Sequence, residues 1–153
     1  MPDATLNPAP APGERRRWTA LFLAWLVALA ASLGALFIGE VMGQAPCSLC
    51  WYQRIFMFPL AVLLGIACYR GDTGIGRYAL PLAAIGWLLA VWHALLFHGL
   101  VAEAVQPCSA AGPACDGAGM LLAGLVPLPL LSLAAFSLLL LLLSLAARGE
   151  RQP

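Results

Sequence analysis

With 153 residues, 62% of them hydrophobic, only 10% charged and a formal net charge of +1, the chain falls outside the composition of soluble globular domains. That balance excludes a single soluble core and leaves no charged footprint for a nucleic-acid partner; what it fits is a membrane protein. A bilayer core takes roughly 20 apolar residues per helix, and four stretches supply them, at about 18–39, 51–69, 78–99 and 120–147. The expectation is an all-α integral membrane bundle of four antiparallel transmembrane helices, one domain over residues 15–147. Short tails flank it: residues 1–14, rich in Pro and Ala, and residues 148–153 are expected to be disordered and cytoplasmic.

The first apolar run, TALFLAWLVALAASLGALF, follows Arg15, Arg16 and Arg17. Basic residues before an apolar core also mark a cleaved signal peptide, but this run is about twice the usual length, which favours a retained helix. Either reading puts the following loop outside. Because the chain has no lysine, arginine alone sets the topology. Arg15, Arg16, Arg17, Arg70, Arg77, Arg148 and Arg151 flank the spans on one side, which the positive-inside rule assigns to the cytoplasm. The loops near 40–50 and 100–119 then face outward and carry Glu40, Glu103 and Asp116 with no basic residue.

Arg54 breaks the pattern, lying just inside the outer end of span two. An intramembrane arginine is costly and marks a functional site by default; the alternative is a snorkelling side chain paired with Glu40. Nearby, Pro46 suits the entry to a helix, which places Cys47 and Cys50 on its first turn, where the helix dipole favours a thiolate. Arg54 follows Cys50 by four residues, on the same face. From there a guanidinium either stabilises a sulfur anion at Cys50 or polarises a carbonyl of a bound acceptor.

Four of the five cysteines fall on the outward side: Cys47 and Cys50 in CSLC, Cys108 and Cys115 in CSAAGPAC. Disulfides persist in such a compartment, and loops this short constrain little chain entropy, which argues for redox pairs rather than staples. Two inert disulfides or a four-cysteine zinc site remain alternatives, the second weakened by the wide spacing of the second pair. Cys68, near the inner end of span two, reads as a small buried hydrophobe.

His93 and His98 in span three are candidates for proton donation or metal ligation, with packing or an interfacial place as the plainer alternative, favoured for His98. Glu40 either carries protons or marks the end of span one. Trp51, Tyr52, Trp87 and Trp92 suit belt and packing positions as well as cofactor contacts. Pro127 and Pro129 bend or start span four. No haem-attachment, nucleotide-loop or iron–sulfur spacing is present, so a lipid-soluble quinone is the natural final acceptor of a two-pair relay.

PCSLCWYQRIFMFPL (Pro46–Leu60), with YALPLAAIGWLLAVWH (Tyr78–His93), CSAAGPAC and GLVPLPLLSLAAF (Gly124–Phe136), resembles the disulfide bond formation protein B family, closest to its compact BdbC-type branch of thiol:quinone oxidoreductases. The resemblance implies a bacterial cytoplasmic (inner) membrane protein with both termini cytoplasmic. It implies catalytic Cys47, Cys50, Cys108 and Cys115, with Cys50 engaging the quinone ring and Cys108 forming the mixed disulfide. Arg54 and His93 match the quinone-site positions, the acceptor being ubiquinone or menaquinone, with no metal. The implied partner is an extracytoplasmic thioredoxin-like thiol oxidase of the DsbA or BdbD kind. The short turn between Cys108 and Cys115 departs from the larger enterobacterial type, and vitamin K epoxide reductases share the four-helix arrangement. The competing function is a non-catalytic membrane subunit whose external cysteines bind metal or staple loops.

Overall fold

The computed structural model describes residues 11–101, 121–122 and 125–148. Four helices among them are long and apolar enough to cross a membrane. α1 spans Pro12–Leu36, with a proline in the first turn, where a missing N–H has no helical partner to lose. Its far end widens into a π-helical turn, Phe37–Val41. α2 spans Ser48–Arg70 and closes on Gly71, whose φ of 66° is the left-handed conformation that a helix stop asks of glycine. A 3₁₀ turn, Thr73–Ile75, held by the Asp72 carboxylate on the Gly74 N–H, leads into α3, Gly76–Phe97. α4 spans Leu128–Arg148.

Each helix packs on its neighbours in sequence, and α1 closes the ring against α4. Between helices in lipid, close packing rather than water exclusion drives association. α1 offers Ala24 and Ala28, and α3 offers Ala79, Ala83 and Ala90. α2 and α4 answer with Leu60, Leu64, Leu139 and Leu143, all of them fully buried. Two glycines set the closest approaches. A Cβ on Gly65 would lie 2.8 Å from Trp25 Nε1, and one on Gly86 would lie 2.2 Å from a ring carbon of Phe136. Pro59 and Pro81 sit inside α2 and α3, which neighbouring helices make tolerable within a membrane.

At one end of the bundle Arg17 donates from Nε to the Ala146 carbonyl at 3.2 Å and from Nη2 to Thr73 Oγ1 at 3.0 Å. It thereby ties the start of α1 to the end of α4 and to the α2–α3 link. The arginine-bearing segments gather there, and Cys47 begins α2 at the opposite end.

Two sequence boundaries shift. Residues 12–14, expected in the N-terminal tail, are already helical. Span four, expected from residue 120, becomes helical only at Leu128, because Leu121–Leu122 pairs antiparallel with Val126–Pro127. Pro129 then occupies the first turn of α4, where its missing N–H has no cost. Cys108 and Cys115, with residues 1–10 and 149–153, lie outside the described residues.

Candidate functional site

Helix α2 begins by turning a cysteine into a cap. Cys47 has extended backbone geometry, and its sulfur accepts from the Cys50 N–H at 3.3 Å, so the first turn brings the two CSLC sulfurs to 2.8 Å. Cys47 is fully buried. Cys50, one turn on, opens onto a cavity of about 190 Å³ between α1, α2 and α4. Small residues of α1 (Ala31, Gly34, Ala35) form one wall and Leu131 and Phe136 another; the polar contribution from α2 and α3 comes from Gln53, Arg54 and His93. An apolar cavity of about 150 Å³ accepts benzene, so this one suits a single substituted ring.

Arg54 reaches across to α1. Its Nη2 donates to the Ala35 carbonyl at 2.8 Å, and its guanidinium lies 5.3 Å from the Trp51 ring centroid. The close approach requires Gly39, where a Cβ would come within 3.2 Å of Nη2. The alternative ion pair with Glu40 does not form: among the described residues no salt bridge joins the two, because the π-helical turn presents Glu40 to the exterior. Nor does Arg54 hydrogen-bond Cys50. Arg54 also lines the cavity.

His93 is 1% exposed and brought to Cys47 by the packing of α3 on α2. Its Nε2 lies 3.8 Å from Cys47 Sγ, and its Nδ1 receives the Gln53 side-chain amide at 3.2 Å. With Nδ1 accepting, the ring proton sits on Nε2, pointing at the sulfur. Donation from the Cys50 thiol, then from the His93 ring and the Cys50 N–H, outweighs burial and lowers the Cys47 thiol to about 5. From sequence the helix dipole favours a thiolate at either cysteine, with Arg54 able to add to Cys50; in the structure the hydrogen-bond donors converge on Cys47.

Cys47, Cys50, Arg54 and His93 thus meet at one end of the bundle. His98 ends α3 exposed, edge-on to Phe97, and Cys68 packs half-buried against the core near the other end. Sequence reasoning missed Gln53. The signal available was a neutral polar residue three positions after Cys50, on the same helix face, beside Arg54 at the start of a mostly apolar span.

The family model described as disulfide bond formation protein DsbB matches residues 15–147. A probable disulfide formation protein of Metapseudomonas resinovorans is 57% identical over 143 residues, 94% of this chain and 97% of the relative. A protein of the same description from Deinococcus radiodurans is 47% identical over 84% of this chain and 88% of its own. Disulfide bond formation protein C of Bacillus subtilis is 39% identical over 90% and 98%. No solved structure matches the chain. A family match that runs through all four helices, together with relatives this similar along nearly their whole length, shows that the chain belongs to the DsbB family of disulfide bond formation proteins.

Proposed function

We propose that this protein re-oxidises an extracytoplasmic thioredoxin-like thiol oxidase and passes the electrons, through two cysteine pairs, to a membrane quinone. Family membership makes it an oxidoreductase of disulfide bond formation, and its four spanning helices make it a multi-pass membrane protein. The observation that carries the finer reading is Cys50 on the wall of an apolar, ring-sized cavity shared with Arg54 and His93.

In this reading the reduced carrier attacks the Cys108–Cys115 disulfide, with Cys108 in the mixed disulfide, and leaves it as a dithiol. That dithiol reduces the Cys47–Cys50 disulfide and is itself re-oxidised. A quinone, ubiquinone or menaquinone, supplies an acceptor for the two electrons and two protons that the Cys47–Cys50 dithiol gives up on closing again. Cys47, turned away from the cavity, is the sulfur left for exchange with the second pair: attack on it releases the Cys50 thiolate, and the donors around Cys47 stabilise the thiolate it becomes when the mixed disulfide is resolved. Cys50 faces the acceptor. Arg54, pre-positioned by the Ala35 carbonyl, presents N–H groups to a ring carbonyl. His93 borders both Cys47 and the cavity, in reach of the thiol proton and of the acceptor. The arginine distribution supports an orientation with both termini in the cytoplasm and both cysteine pairs outside a bacterial inner membrane.

The test is anaerobic and metal-free. Reduced thioredoxin-like oxidase, purified membrane protein and a short-chain quinone are mixed, and quinone absorbance is followed. Loss that needs all three components and disappears in Cys50→Ala is the expected result. No loss with either quinone class, from protein whose thiols titrate as fully reduced, would refute the reading.

A further inference from the structure

Cys47 Sγ, Cys50 Sγ and His93 Nε2 all lie within 4.8 Å of one another. We propose that in the reduced protein these three atoms bind a soft divalent cation of the zinc type, which holds the pair reduced. The site is distinct from the four-cysteine arrangement considered from sequence, since it draws nothing from Cys108 or Cys115.

The geometry is near that of a bound ion. Bond lengths of about 2.3 Å for sulfur and about 2.0 Å for nitrogen put tetrahedral ligand atoms roughly 3.5–3.8 Å apart. The Cys47 Sγ to His93 Nε2 separation is already 3.8 Å. The sulfurs, at 2.8 Å, need to part by about 1 Å to reach that spacing, and Cys50 has the open cavity to turn into. The Cys50 N–H, 3.3 Å from Cys47 Sγ, continues to donate to the coordinated sulfur. A metal-bound imidazole needs its other nitrogen held by an acceptor. Gln53 supplies one from its present place: turning its amide over presents Oε1 to an Nδ1 proton and frees Nε2 for the ion.

The donor set selects the ion. Two thiolates and an imidazole favour zinc over magnesium or calcium, and the two sulfur charges neutralise the ion, so Arg54 faces a centre without net charge. The fourth position opens to the cavity, the arrangement of a three-ligand site with an exchangeable place. Binding displaces whatever protons the two sulfurs still carry and moves no electrons. Because the same sulfurs cannot coordinate as thiolates and form a disulfide, cation and oxidation exclude each other.

The experiment uses the full chain carrying Cys108→Ser and Cys115→Ser, purified in detergent, reduced and freed of metal. Zinc is titrated against a chromophoric chelator, and cobalt is added separately to read thiolate-to-metal absorbance. The expected result is one equivalent per chain, none after oxidation, with Gln53→Leu weakening binding about 10- to 100-fold and His93→Ala weakening it further. His93→Cys restores stoichiometric binding with an altered cobalt spectrum, which separates ligand loss from misfolding. Zinc bound equally by His93→Ala, zinc bound by the oxidised chain, or no binding without Cys108 and Cys115 would each overturn the proposal. None of these readouts involves quinone, so they stand or fall apart from the relay.

Discussion

Gly86→Ala tests whether the α3–α4 contact shapes the cavity. The new methyl would lie 2.2 Å from Phe136 Cε1 and 2.5 Å from Cζ. Carbon pairs rest at about 3.5–4.0 Å, so the ring must move by roughly 1.3 Å. Phe136 is 1% exposed and packed in the main core cluster, and it also lines the cavity. Relief therefore comes by parting α3 from α4 or by swinging the ring into the space proposed for the quinone. Overpacking of this kind costs about 1–3 kcal/mol. Thermal unfolding in detergent, followed by circular dichroism, should show that loss, and the quinone KM should rise. Phe136→Leu removes the obstructing atoms, so the double variant should be more stable than the two single losses predict, by about 1 kcal/mol or more of coupling in a double-mutant cycle. A Gly86→Ala protein of unchanged stability, with additive behaviour in the cycle, would refute the argument.

Arg54→Ala should raise the quinone KM about 10- to 100-fold, the worth of a charged hydrogen bond, while exchange with the thiol partner stays within a factor of about two; stopped-flow measurement of each half-reaction separates them, and equal loss in both would remove the assigned role. Gly39→Val crowds the guanidinium, since its Cβ alone would lie 3.2 Å from Nη2, and should reproduce part of the Arg54→Ala effect with the charge retained; a normal quinone KM would show that the Ala35 contact does not matter. For Cys47 the pH dependence has a definite sign. With its thiol lowered to about 5, the metal-free reduced protein should keep a thiolate absorbance near neutral pH that fades as pH falls through that value and is absent in Cys47→Ser. Removing the largest donor with Cys50→Ala should move the midpoint upward, and a wild-type midpoint in the ordinary thiol range would contradict the geometry.

The spans and the reactive turn were legible because each depends on short stretches of chain. Apolar length finds a membrane helix, and a proline followed by CxxC finds a helix start whatever the helix packs against. Arg54 was legible as out of place, but its partner was not. Glu40 looked available by distance in sequence, and only the π-helical turn at Phe37–Val41 turns it outward. Span four was read too long because hydropathy does not distinguish a leucine in a helix from one in the Leu121–Leu122 pairing.

The contact between Gln53 and His93 shows where local reading stops. Periodicity says that Gln53 shares a face with Cys50, and nothing in α2 says what that face meets. The histidine that meets it comes 40 residues later in the chain, on a helix whose small residues Ala83, Gly86 and Ala90 are buried inside the bundle. In the structure Gly86 sets how closely α3 approaches Phe136 of α4, which lines the same cavity as His93. The chemistry of the site is therefore encoded partly in residues with no chemistry of their own, and a substitution at Gly86 is expected to alter the redox end of the bundle without touching a reactive atom.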